Sequence, residues 1–189
     1  MYKFVCLNLD DYYNHKMFYD KVPEAMSEEF GLDNMVILKS EVEKAGFEMV
    51  DSIPFNISKI LKDNIECERQ KLQVGKKANK IHFLGFAYWG STNENLKIIY
   101  ENGFEEIVNV PFLDLNHRHK ESEHVKLWYG TSVTTPKILI SAGDNTQMVS
   151  FHHSVVELKG KEIIKEIIFP DNFFIHIFAI TLEKEQIKR

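Results

Sequence analysis

Apolar and polar positions divide this chain into two parts that meet at Gly103. Before it, short strands alternate with helix-like stripes. Tyr2 to Leu9, YKFVCLNL, reads as a strand, and the turn-prone run Asp10 to Lys16 ends it. Pro23 to Phe30 fits a short helix with Pro in its first turn and Gly31 after it. Asn34 to Ala45 predicts a longer helix, capped by Asp33 or Asn34 and ended by Gly46. Its apolar stripe is Val36, Ile37, Leu38, Val42 and Ala45. Phe47 to Val50 reads as a short strand. Further helices are predicted over Ile57 to Lys71 and Asn93 to Glu101, with the aromatic strand Ile81 to Trp89 between them. After Gly103 the pattern becomes strands with short breaks: Phe104 to Val110, Phe112 to His119, Glu123 to Tyr129, Lys137 to Ser141, Gln147 to Leu158, Glu162 to Phe169 and Phe173 to Leu182. The expected fold class is α+β. A mixed α/β N-terminal region, residues 1–103, precedes an antiparallel β-barrel or jelly roll over residues 104–189.

The stretch Leu113 to Gly130, LDLNHRHKESEHVKLWYG, carries the densest chemistry. At the strand period of two, one face holds Leu113, Leu115, His117, His119, Glu121, Glu123, Val125, Leu127 and Tyr129. The other is polar almost throughout. A core face interrupted by imidazoles and carboxylates needs compensation, because buried ionisable groups are costly unless paired or bound to a metal. His nitrogen and carboxylate oxygen suit a divalent ion of the Mn, Fe, Ni or Zn kind.

Composition sets outer bounds. The chain has 189 residues, 44% hydrophobic and 27% charged, which is ordinary for a globular protein. Its formal net charge of −5 and lack of a basic block argue against nucleic acid as a partner. No apolar run is long enough to span a membrane as a helix. Two distant cysteines, Cys6 and Cys67, and no signal peptide suggest a cytoplasmic protein with reduced thiols. The expected partner is a small-molecule substrate, and a homodimer stays open. Gly75-Lys76 lacks the rest of a phosphate-binding loop.

The run HRHKESEHVKLWYG has the spacing His-x-His, three residues, Glu, six residues, Gly, and resembles the first motif of the cupin superfamily. Pro111 replaces the motif's leading Gly. A degraded second motif follows, with Gly143-Asp144 and then His152-His153 but no Pro-Gly turn. The resemblance covers roughly Phe104 to Leu182. It implies a jelly roll whose metal is held by His117, His119, Glu123 and either His152 or His153. Val149, Phe151, His153 and Val155 share the apolar face, so alternation favours His153. Glu121 and Tyr129 are candidate catalytic residues, Glu121 as an extra ligand or general base; the simpler reading of Glu121 is a solvated residue on the bend near Lys120 to Ser122. The resemblance implies a metal-dependent enzyme on a small polar metabolite, either a sugar isomerase or epimerase, which we favour, or an O2-dependent dioxygenase. A metal-free ligand-binding or protein-interaction barrel is the non-enzymatic alternative. Leu127 to Gly143 also resembles the first motif of ADP-ribosyltransferases of the polymerase type, with Tyr129 where a His would stand. The aromatic stretch Phe86 to Trp89 could supply a wall beside a sugar, although core packing is the simpler role for it.

Overall fold

A computed structural model of the chain describes residues 2–20, 35–40, 49–57, 62–115, 137–142 and 145–185; at 2, 35, 36, 38, 137–142 and 145–150 it describes the backbone alone. In chain order the strands are β1 (Tyr2–Cys6), β2 (Phe18–Tyr19), β3 (Met35–Leu38), β4 (Met49–Val50), β5 (Ile53–Pro54), β6 (Ile65–Glu68), β7 (Lys71–Lys76) and β8 (Lys80–Ala87). They continue with β9 (Thr92–Tyr100), β10 (Glu105–Phe112), β11 (Lys137–Ala142), β12 (Asn145–Ser150), β13 (His152–Glu157), β14 (Ile164–Ile168) and β15 (Asp171–Glu185).

The expected α+β class is therefore corrected. Among the described residues every named element is a strand, on both sides of Gly103. The helix expected over Asn34 to Ala45 contains β3, the one over Ile57 to Lys71 contains β6, and the one over Asn93 to Glu101 is β9. Segment β9 shows why. Leu96, Ile99 and Tyr100 stand at helical spacing, but Leu96, Ile98 and Tyr100 also stand at the strand period, and these three are the buried set. Pairing to β10 on one edge and β14 on the other decides between the two periods. The helix expected at Pro23 to Phe30 lies outside the described residues.

Three layers result. The central sheet runs β1-β15-β8-β13, with β6 also on β15. One face packs on the sheet β10-β9-β14-β7 through Ile81, Phe83, Leu96, Ile98, Val110, Ile167 and Ile180. The opposite face packs Leu84, Phe86, Phe151 and Phe178 against Phe18, Ile37, Ile53 and Phe55, which lie in or beside β2, β3 and the β4–β5 hairpin. Both faces of the central sheet are thus covered, so β8 and β15 read as nearly continuous apolar runs. Strands β9 and β10 have one face in water and alternate. Among the described residues the sheets are open, and no pairing closes them into a barrel.

The pairing of β15 with β8 slips by one residue at Phe178, between Ile177↔Gly85 and Ala179↔Leu84. This bulge exchanges faces along β15. Ile175 and Ile177 point to the first core before it, and Ile180 and Leu182 do so after it. Gly85 lies opposite Ile177, and a Cβ there would overlap the carbonyl oxygen of His176 and lie 3.3 Å from the Cα of Ile177. Backbone cannot turn aside as a side chain can. Gly85→Ala is expected to cost about 1–3 kcal/mol by overpacking. The measurement is a denaturant melt, with a lower midpoint at unchanged slope; an unchanged midpoint would refute the close approach.

Candidate metal centre and histidine relay

Strand pairing puts Glu66 directly opposite His176, so both side chains lie on one face at the edge where β6 meets β15. The segment before β2 adds His15 through an isolated antiparallel bridge to Asn64. Asn14 clamps the junction. Its amide oxygen accepts the Glu66 N–H at 2.8 Å, and its amide nitrogen donates to the Glu66 carbonyl at 3.0 Å and to Glu68 Oε2 at 3.1 Å. One potential ligand atom each from His15, Glu66 and His176 lies within 4.8 Å of the others. Ligands of a tetrahedral ion stand about 3.3 Å apart, given metal–ligand bonds near 2 Å. Small rotations of the half-buried His15 and Glu66 side chains would close that gap, while His176 is fully buried and fixed.

The Asn64 amide sets the protonation of this group. Its nitrogen donates to Asp63 Oδ1 at 2.9 Å, and Asp63 in turn accepts the Met17 and Phe18 N–H groups. The amide oxygen must then face His176, whose Nδ1 lies 2.9 Å away and donates to it. His176 Nε2 is left as a bare lone pair, buried and without a hydrogen-bond partner. Burial, and then the nearby His15, push His176 down to about 3, so it stays neutral. A buried imidazole held at one nitrogen by an amide oxygen, with the other nitrogen open, is the arrangement of a metal-ligating histidine. Burial also lowers His15. Burial and the Glu68 carboxylate raise Glu66. Each of these shifts marks a group whose own environment disfavours its charge or protonation, which a cation would offset for Glu66.

His117, His119, Glu121, Glu123 and Tyr129 lie outside the described residues. His153 is described, and it is buried in a chain of hydrogen bonds. Glu183 Oε2 meets His82 Nε2 at 2.9 Å, His82 Nδ1 meets His153 Nε2 at 2.9 Å, and His153 Nδ1 meets Asp51 Oδ2 at 3.1 Å. Three hydrogen bonds require three protons. Two neutral rings supply two of them, so the chain as a whole shares one proton more. Burial and the neighbouring imidazole lower His82, and burial lowers His153, so a charged ring is disfavoured at either position. Alternation along β13 favoured His153 over His152 as the inward residue. Both are buried, at 6% and 1% exposure, because the central sheet has a packed layer on each face.

His15, Glu66 and His176 form no spacing motif, and none of them was singled out from the sequence. One signal was present. His176 interrupts the apolar run FFIHIFAI, the same anomaly that drew attention to His117 and His119. No helix of the described residues is long and apolar enough to cross a membrane. No family model matches the chain, and no curated protein matches it.

Proposed function

We propose that this chain is a metal-dependent enzyme acting on a small polar metabolite, with its divalent ion on His15, Glu66 and His176, and that it isomerises or epimerises a sugar. One observation carries the reading: two imidazoles and a carboxylate converge, and the buried Nε2 of His176 has no partner. Three protein ligands leave open positions for substrate oxygens. A bound ion would act as a Lewis acid on adjacent hydroxyl and carbonyl oxygens. Proton transfer between their carbons needs a base. Glu68 suits that role, because it is exposed, lies on the Glu66 face of β6 and is oriented by Asn14. The abundance of carboxylate at this edge favours a neutral polyol over an anionic substrate. The two free thiols, Cys6 and Cys67, support a cytoplasmic setting for it.

Two histidines and one carboxylate are also the ligand set of non-haem Fe(II) oxygenases, which keeps the dioxygenase as the second reading. The test loads the protein with Mn²⁺, Ni²⁺, Zn²⁺ or Fe²⁺ and offers a panel of neutral aldoses in D2O. The expected result is deuterium incorporation beside the carbonyl, lost in His176→Ala. Glu68→Gln should keep full metal content and lose at least 100-fold in turnover, as removal of a positioned base does. Oxygen uptake without exchange would favour the second reading. Metal binding with neither activity would refute the enzymatic one.

A further inference from the structure

The edge of the sheet next to the metal cluster carries a group of aromatic side chains that the core does not use. Trp89 is 72% exposed and Phe173 50% exposed, whereas among the described residues most other large aromatic side chains, Phe104 at 48% excepted, are buried or half-buried. We propose that Trp89, Phe173 and Phe174 form a stacking shelf for the ring of a neutral carbohydrate. This goes further than the reading above by assigning the surface that would hold the sugar ring, and rests on that reading only for its catalytic consequence.

The shelf is constructed. From Asn172 to His176, β15 advances four residues while its partner β6 advances one, from Cys67 to Glu66. Three residues, Phe173 to Ile175, are therefore extra. Ile175 turns into the core, Phe173 turns out, and Phe174 is half-buried. The side-chain oxygen of Asn172 accepts the Phe174 N–H at 3.1 Å, and its amide nitrogen donates to Glu94 at 2.7 Å. Across the sheet, the Tyr88 N–H donates to the Phe174 carbonyl at 2.8 Å. Trp89 then adopts a left-handed φ of 69°, which bulky residues rarely do. The turn that follows is held by the Gly90 N–H on Asp114 and by the Asp114 N–H on Ser91 Oγ at 2.9 Å. The rings associate: Trp89 lies 6.2 Å from Phe174, and Phe173 4.2 Å from Phe174. Strain at Trp89 and an insertion at Phe173 both act to hold apolar rings in water. Backbone strain and ordered bulges of this kind concentrate at ligand sites.

The surroundings select the ligand. Beside the rings stand Asp114, Glu94, Asn172 and Asp171, the last paired with Arg69 at 2.8 Å. Carboxylates and amide oxygens accept hydrogen bonds from hydroxyls and repel anions. The rings offer negative faces to weakly positive C–H groups. A molecule with C–H groups on one face and hydroxyls around its edge meets both demands, and a sugar ring is that molecule. The shelf also adjoins the cluster. Phe174 is two residues from His176 on β15, and Trp89 is three residues from Phe86, whose ring is 5.5 Å from that of His176. At about 3.3 Å per strand residue the backbone of Phe174 lies within roughly 7 Å of that of His176, so the shelf borders the cluster.

The test uses the full chain after EDTA treatment, so that the shelf is judged without a metal. Cellohexaose, maltohexaose and xylohexaose are titrated by calorimetry, with an oligogalacturonate as the anionic control. At least one neutral hexasaccharide should bind, and the anion should not. Trp89→Ala should weaken binding at least tenfold, and so should Trp89→Asn, which tolerates the left-handed backbone. Both variants should keep the melting temperature and metal affinity of the parent, because Trp89 is exposed. Sugar binding by a protein that takes up no metal would sink only the metal reading. Absence of binding by all three neutral sugars, or binding retained in both Trp89 variants, would overturn the shelf. So would sedimentation showing a dimer that Trp89→Ala dissociates, since a second copy of the chain would then occupy those rings.

Discussion

Saturating Zn²⁺ is expected to raise the melting temperature of this protein, and His176→Ala is expected to abolish the rise. A hundredfold excess of ion over its dissociation constant adds about 2.7 kcal/mol to the folded state by mass action. For a chain of this size each kcal/mol shifts the midpoint by roughly 2–4 °C, so the expected rise is about 5–10 °C. His15, Glu66 and His176 come from three separate segments, so an ion held among them ties those segments together in the folded state alone. His176 dominates because it needs no rearrangement. Its Nδ1 proton is committed to Asn64, and its Nε2 lone pair is already open. His15 must yield its contact with the Asn64 amide at Nδ1, or its ring proton at Nε2, before it can bind. Binding should therefore weaken as pH falls, because protons compete with the ion for the ligand atoms. Glu66→Gln should reduce the thermal shift, and His82→Ala, in the separate relay, should leave it intact. His119→Ala makes the comparison decisive. If the shift survives His176→Ala and disappears in His119→Ala, the ion belongs to the set with the cupin-like spacing and the proposed centre is wrong.

Phe178→Ala is expected to give the largest loss of stability of any single truncation considered. Phe178 is fully buried where the second core layer meets the central sheet. Its ring centroid lies 4.5 Å from Phe151, 5.1 Å from Phe18 and 5.4 Å from Phe86. Its carbonyl accepts the Tyr13 hydroxyl at 2.8 Å, which ties the segment before β2 to the bulge in β15. Truncation removes the ring from these contacts and leaves a cavity that the three neighbouring rings cannot fill without leaving their rotamers. The expected cost is about 3–5 kcal/mol, or roughly 10 °C in melting temperature. His176 lies two residues away on the same strand, so metal affinity should also fall. Phe173→Ala, on the exposed side, should change stability by no more than about 0.5 kcal/mol. A Phe178→Ala protein as stable as the parent would show that the second layer contributes little to folding. The hairpin β4–β5 and the sheet of β2 and β3 would then be appendages to a two-layer sandwich.

Some of this architecture was written plainly in the chain. The apolar, β-branched runs that became β8, β10, β14 and β15 needed no tertiary information to be recognised as strands. Their breaks at Gly103, Gly160 and Pro170 were also visible. Segments β3, β6 and β9 were not legible, because each carries apolar residues compatible with both periods. Hydrogen bonds to neighbouring strands resolved them, and those partners are distant in sequence. The burial of both His152 and His153 has a related reason. Alternation tells two faces of a strand apart, but it cannot tell which is buried when a layer covers each. The metal centre lay furthest from the sequence. Residues 15, 66 and 176 share no motif, and only the register that sets Glu66 against His176, together with the bridge from His15 to Asn64, brings them to one point. The sequence determined that imidazoles would be buried, because His82, His153 and His176 sit in apolar strands. Tertiary structure decided which are paired to carboxylates and which keeps a lone pair for a ligand, because that depends on which side chain arrives from across the sheet.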